Sequence, residues 1–333
     1  MDAQLIFVIL IIVTALLFDF TNGAHDAANS VATIVSTKVL TLKQALLFAA
    51  FFNFVAFMVF GTEVAKMVGS GLVDVNRVTP EVIFAGLLGA ILWNLITLYL
   101  ALPTSSSHAL IGGYAGAAIA HAGFSVIITA GWIKTIAFIF IAPLLGFVLS
   151  YMFLILFSWL IYVMKSRPVA VTYWSKHLQL FSAGLYSLGH GSNDAQKTIG
   201  IITGLLFSAG YLTSFSIPFW VVMAAHTAMA LGTLYGGKRI IKTMGQKIFK
   251  LRPLDGVCAE FASAISIFFA TTLGIPVSTT HVITGAISGV GAAQRFSSVK
   301  WGVALRIIWA WFFTIPAAAI ISFVLFSVGS RLF

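Results

Sequence analysis

Hydrophobic residues fall in long blocks along this chain rather than in the short periodic runs of a soluble fold. Apolar segments occupy about 4–20, 42–62, 81–102, 104–121, 129–165, 178–191, 197–212, 216–236, 256–274, 276–293 and 301–329. Several reach the roughly 20 residues that a helix needs to cross a hydrocarbon core. The stretch 21–38 (TNGAHDAANSVATIVSTK) starts polar and ends apolar. The run 129–165 exceeds a single span, which predicts a helix that is tilted, protruding or broken near Pro143. The opening MDAQLIFVILIIVTALLF lacks the basic leader and small-residue cleavage site of a signal peptide, and reads as the first span.

Composition narrows the class. Of 333 residues, 60% are hydrophobic and 8% charged, against roughly 25% charged in soluble domains. A water-soluble enzyme, a nucleic-acid module and a disordered regulator are excluded, and an all-α polytopic membrane protein remains. The net charge of +10 then reads as loop bias that orients the chain in the bilayer, with no nucleic-acid partner implied. The single Cys258 rules out an internal disulfide and any multi-cysteine metal site.

An internal repeat organises the blocks. LPTSSSHALIGGYAG (102–116) returns as IPVSTTHVITGAISG (275–289), so that Pro103 aligns with Pro276, His108 with His281, Gly112 with Gly285 and Gly116 with Gly289. GAHDAAN (23–29) returns as GSNDAQK (191–197), aligning Asp26 with Asp194. The order of motifs is the same in both halves, which predicts two copies of one unit, residues 1–165 and 178–333, joined by a linker at 166–177.

Loop charge predicts how the copies are oriented. The loop 237–255 carries Lys238, Arg239, Lys242, Lys247, Lys250 and Arg252. Its counterpart 62–81 has only Lys66 and Arg77, against Glu63, Asp74 and Glu81. Positive-inside bias puts the first in the cytoplasm and the second outside, so the repeats are inverted and each crosses an odd number of times. Five crossings per half, with the Asp-containing segments as breaks or re-entrant elements, put both termini outside. The fold expected is two inverted-topology repeats whose broken or re-entrant helices meet at a midplane site.

The repeated motifs carry the chemistry. Pro103 followed by Thr104, Ser105, Ser106, Ser107 and His108 reads as a helix N-terminus, and Pro276 followed by Val277, Ser278, Thr279, Thr280 and His281 repeats it. One such cluster is adequately explained as a cap. Two, aimed by inverted copies at one central point, bring six matched hydroxyls (Ser105, Ser106, Ser107, Ser278, Thr279 and Thr280) and two helix N-termini together, a donor set suited to a tetrahedral oxyanion.

Asp26 and Asp194 at membrane depth each cost roughly 2.5–3.5 kcal/mol on insertion scales, so they are expected to face a cavity and bind something, with Asn22, Asn29 and Asn193 nearby. An oxyanion about 6 Å from one such carboxylate is repelled by roughly 3 kcal/mol at an effective dielectric of 20, so anion binding requires a cation. Lys197, three residues after Asp194 where the first copy has Asn29, can supply that charge permanently, which points to protons as the driving ion. Lys197 as a substrate contact or as a snorkelling interface residue are the other readings. Glu260 is either a proton carrier or paired with Arg306 or a backbone group. His25, His108, His190 and His281 read as hydrogen-bonding or capping residues. Asp19, seven residues before Asp26, has no assigned role. A hydrolase built from Ser107, His108 and Asp26 is disfavoured, because neighbours on one helix do not form a nucleophile–base pair and the duplication has no catalytic reason.

These duplicated elements, G-x-N-D-x-x-N and P-x-S-[ST]-[ST]-H in the same order, resemble the inorganic phosphate transporter (PiT) family over essentially the whole chain. The resemblance implies an inner-membrane, multi-pass phosphate symporter with both termini outside, no cofactor or enzymatic activity, and a homodimer as a common assembly. By motif match it places phosphate at Ser105, Ser106, Ser107, Ser278, Thr279 and Thr280. It places cation coupling at Asp26, Asn29 and Asp194, with Glu260 matching a membrane glutamate of similar transporters. With Asn193 and Lys197 these form the expected coupling set, and Na⁺ at Asp26, Asn29 and Asp194 is the alternative to H⁺. His25 in place of Asn, and Lys197 in place of Asn, are similar to proton-coupled bacterial members. Asn53 stands where some eukaryotic relatives have a glutamate. Sulfate, or a neutral metal–phosphate complex, is the alternative cargo.

Overall fold

The computed structural model describes residues 3–59, 61–236 and 249–331. Lys238, Arg239, Lys242 and Lys247 of the basic loop lie outside the described residues. The chain forms helices α1 (Ala3–Ser36), α2 (Leu42–Val55), α3 (Glu63–Lys66), α4 (Pro80–Tyr99), α5 (Ser106–Ala122), α6 (Thr129–Val163), α7 (Pro168–Ser208), α8 (Phe219–Tyr235), α9 (Pro253–Thr272), α10 (Thr279–Gln294) and α11 (Trp301–Gly329). Among the described residues the only β feature is a single bridge, Val73 to Ile127.

Local chemistry sets the helix starts. Thr41 precedes α2, and its backbone N–H donates to Gln44 Oε1 at 3.0 Å. Pro80, Pro168 and Pro253 open α4, α7 and α9, where a missing N–H costs nothing. Ser105 and Ser278 cap α5 and α10. Pro103 and Pro276 therefore precede the caps rather than occupying the first turn. Because Pro168 starts α7, the stretch 166–177 expected as a linker is helical over most of its length.

Among the described residues five helices are long and apolar enough to cross a membrane: α1, α4, α6, α9 and α11. The α2 region and α3 are bent by 82° across a short break, the shape of a broken span or a re-entrant loop. This is a multi-pass membrane protein. α6 runs unbroken through Pro143 for 35 residues, about 52 Å, so it tilts or protrudes instead of breaking.

α1 and α7 run antiparallel. Gln4 Nε2 donates to the Ala209 carbonyl at 3.3 Å, and at the other end Thr37 Oγ1 donates to Gln179 Oε1 at 2.8 Å. Both helices are continuous through their Asp motifs, which corrects the expectation of breaks there. The polar residues Asn22, His25, Asp26, Asn29 and Thr33 lie on a buried side of an ordinary helix.

The re-entrant elements are elsewhere. Asp74 N–H donates to the Val126 carbonyl at 2.9 Å, Ile128 N–H to that of Leu72 at 3.0 Å, and Arg77 to Ser125 and Ala122. The outer ends of α4 and α5 thus lie together, and the two helices form a hairpin. In the same way Gln294 Nε2 donates to Asp255 Oδ1 at 2.6 Å, closing the base of an α9–α10 hairpin. Five crossings per half are not matched: among the described residues five helices, or six counting the bent pair, are long and apolar enough to cross a membrane. Gly69, near the first base, faces Gly200 in late α7, and Gly204 of late α7 faces Gly69 and Val75 in turn, whereas Gly256 at the second base faces Gln179 in early α7. The hairpins enter from opposite ends of the α1–α7 pair.

Each hairpin packs on the last helix of the other half. A Cβ on Gly116 of α5 would lie 2.2 Å from the Ala319 carbonyl oxygen of α11, and one on Gly289 of α10 would lie 2.2 Å from that of Phe147 on α6. Only hydrogen at these positions allows the backbones so close.

Candidate functional site

The hairpin tips meet. His108 and His281, in the first turns of α5 and α10, have ring centroids 4.6 Å apart, and His281 stacks on Trp311 at 3.7 Å. Ser105 Oγ accepts from His108 N–H at 3.2 Å and Ser278 Oγ from His281 N–H at 3.4 Å, so these two hydroxyls cap the helices. The other four expected hydroxyls turn toward α1 and α7. Ser106 Oγ donates to Asp26 Oδ1 at 3.4 Å, and Thr279 Oγ1 to Asp194 Oδ2 at 3.5 Å. Thr280 Oγ1 accepts from Asn29 Nδ2 at 2.8 Å, and Ser107 Oγ accepts from Lys197 Nζ. All six are buried.

Lys197 is 1% exposed and points inward, which excludes a snorkelling role. Its ammonium donates to Asp194 Oδ1 at 2.5 Å, to the Val277 carbonyl at 2.8 Å and to Ser107, joining both tips to the α7 carboxylate. His25 Nδ1 lies 2.9 Å from Asp26 Oδ1, while its Nε2 is 3.4 Å from Thr97 Oγ1 and 3.5 Å from Thr104 Oγ1. His190 Nε2 lies 3.4 Å from Asp194 Oδ2 and its Nδ1 3.2 Å from Asn53 Oδ1, whose amide donates to Thr233 at 3.0 Å. One ligand atom from each of Asp26, His190 and Asp194 falls within 4.8 Å of the others, the place where a cation could bridge the two carboxylates.

Two expected coupling residues are placed differently. Asn193 donates to Thr271 at 2.9 Å and to the Ile275 carbonyl at 3.3 Å, and accepts from Val277 N–H at 3.2 Å. Its polar atoms are committed to shaping the α9–α10 tip. Glu260 accepts from Thr33 at 2.6 Å, Gln179 at 3.0 Å and Ser182 at 2.5 Å, toward the base of that hairpin. Arg306 is exposed and donates to the Gly302 carbonyl, so the expected Glu260–Arg306 pair is not formed.

The sequence reads His25 and His190 as hydrogen-bonding or capping residues, with His25 also similar to proton-coupled members, and gives Gln196 no role. His25 and His190 contact the carboxylates directly. Gln196 Oε1 accepts the first N–H groups of α3, from Val64 at 2.9 Å and Ala65 at 3.3 Å. The signal for His190 was its i, i+4 spacing to Asp194, and that for His25 its adjacency to Asp26.

Comparison with known proteins gives the family of the chain. The model of the phosphate transporter family matches residues 22–322. A probable low-affinity inorganic phosphate transporter of Rhizobium meliloti (strain 1021) is 57% identical over 97% of this chain and 97% of its own. One of Bacillus subtilis (strain 168) is 47% identical over 100% of both chains. A solved structure of a sodium-dependent phosphate transporter has a TM-score of 0.89 over 98% of this chain and 100% of its own, at 23% identity, and so shares the fold. A family model over residues 22–322 and relatives of 47–57% identity along the whole chain show that the chain belongs to the phosphate transporter family.

Proposed function

We propose that this protein is a secondary active symporter that imports inorganic phosphate with a proton by alternating access. The observation that carries the reading is the convergence of two hairpin tips, each ending in hydroxyls, on a buried Asp26–Asp194–Lys197 cluster. Hydroxyls and free helix N–H groups from both tips bind the phosphate oxygens, through Ser105, Ser106, Ser107, Ser278, Thr279 and Thr280. Asn29 and Asn193 hold the second tip in register.

Charge then dictates coupling. Two carboxylates face one ammonium, so a phosphate dianion enters a site already short of positive charge and binds well only when a cation enters too. The nearest neighbours of Asp26 and Asp194 are nitrogens, from His25 and Lys197, with a His190 nitrogen and the Ser106 and Thr279 hydroxyls farther out. A hard alkali cation seeks oxygen ligands, which supports the proton over Na⁺ at Asp26, Asn29 and Asp194. Glu260 would follow the carrier's state from the hairpin base.

Alternating access rests on the two halves, residues 1–165 and 178–333, being inverted copies. Support comes from the repeated helix order and from hairpins that enter from opposite ends. Lys38, Lys43, Arg167, Arg252, Arg295 and Lys300 gather at the end holding the α9–α10 base, which favours that end as cytoplasmic and both termini as external in an inner membrane.

Purified protein in proteoliposomes tests the reading. Acidifying the outside in sodium-free medium should drive uptake of labelled phosphate. Uptake that requires sodium and ignores the pH gradient would replace the proton with Na⁺. No phosphate flux under either gradient, with sulfate flux in its place, would change the substrate.

A further inference from the structure

A second buried carboxylate stands apart from the cluster just described. Asp19 is fully buried on α1, and neither of its oxygens has a hydrogen-bond partner. It lies two turns before Asp26, about 10 Å along the axis toward the α4–α5 base. Asn22 and Thr198 are the polar side chains set against it, and Asn22 Oδ1 and Thr198 Oγ1 are themselves buried and unpartnered. Thr198 and Asn22 approach the Asp19 carboxylate as donors, yet at full hydrogen-bond geometry both carboxylate oxygens, Asn22 Oδ1 and Thr198 Oγ1 stand unpaired. Buried polar atoms are nearly always paired, so a group of orphans points to an absent partner.

That partner is positively charged. The charged groups that act on Asp19 are Asp194, which repels an anion there, and Lys197, whose three N–H groups are already given to Asp194, Ser107 and Val277. α8, packed on the same part of α1, offers His226, which is bonded to its own Val222 carbonyl. On α4, Trp93 Nε1 and both ends of the Asn94 amide are also buried and unpaired, adding polarity but no charge. The position aligned with Asp19 in the second half is Ser187, so the carboxylate belongs to one half only.

We infer that Asp19, with Asn22 and Thr198, is a second cation site, where one monovalent cation, a proton or Na⁺, binds on its way to Asp26. Asp19, Asn22 and Asp26 follow at i, i+3 and i+7, one face of α1, so the site leads along the helix to the hairpin tips. The inference rests on the symport reading, under which this end faces outward.

The test uses proteoliposomes containing the wild type, Asp19→Asn and Thr198→Val. Expected for Asp19→Asn is a fall of about tenfold or more in gradient-driven net phosphate uptake, one less positive charge moved per phosphate, and retained phosphate–phosphate exchange. Thr198→Val should raise the cation concentration for half-maximal uptake and leave exchange intact. Should Asp19→Asn not fold, Thr198→Val carries the test. A pH gradient without sodium, and a sodium gradient at equal pH, identify which cation the site takes. Unchanged cation dependence and charge per phosphate in the variants overturn the inference alone, as does loss of exchange together with uptake in folded Asp19→Asn. A wild type that moves no phosphate under either gradient overturns the symport reading and this site with it.

Discussion

Lys197 Nζ lies 2.5 Å from Asp194 Oδ1, within one turn of α7, and the same ammonium reaches across to Ser107 on the other half's hairpin. One fixed charge thus neutralises a carboxylate and ties it to a tip hydroxyl. In a low-dielectric site such charge-assisted bonds are strong and directional, and removing the cation leaves an uncompensated buried anion.

Lys197→Asn should therefore lose proton-driven phosphate uptake. If the lysine stands in for a bound cation, sodium should restore part of the uptake, since the carboxylate then accepts Na⁺ in its place. Transport assays with and without sodium check this. Unaltered proton-driven uptake in the variant would remove Lys197 from the mechanism.

Glu260 tests a different layer. Its carboxylate accepts from Thr33, Gln179 and Ser182, which come from α1 and α7 and join the α9–α10 base to both. Glu260→Gln puts an amide N–H against one of these donors and should lower stability by about 1–3 kcal/mol. Thermal unfolding in detergent reads the loss, while phosphate affinity should hold, because no tip hydroxyl touches Glu260.

Gly116 and Gly289 test the exchange of hairpins between halves. Leucine at either position would drive its Cβ into a carbonyl of the partner half's last helix, 2.2 Å away in each case. Both variants should yield little folded protein, and overpacking of this kind costs about 1–3 kcal/mol or more. Gly302→Leu, where a Cβ meets nothing within 4 Å, should fold normally. Size-exclusion profiles of the three separate the cases.

Much of this organisation was legible in the sequence, and the failures have physical causes. The duplicated P-x-S-[ST]-[ST]-H element gave the tips because two helix N-termini at membrane depth need a shared purpose. Lys197 was legible from its i+3 spacing to Asp194. Crossings were not, since an apolar helix that spans and one that turns back at the midplane share one composition. The polar start of 21–38 suggested a break, yet Asn22, Asp26, Asn29 and Thr33 follow helical spacing and are buried along a continuous α1. Glu260's partners were unreadable, as Thr33 and Gln179 are distant in sequence and local spacing carries no trace of them.

Phosphate binding to purified protein, measured for the wild type, Ser107→Ala, Thr280→Val and the double variant, tests the central claim most directly, because these hydroxyls come from opposite halves. Each single substitution should weaken affinity by about tenfold, roughly the worth of one hydrogen bond to a charged group, and the double variant should weaken it further. Wild-type affinity in the double variant would contradict binding between the hairpin tips.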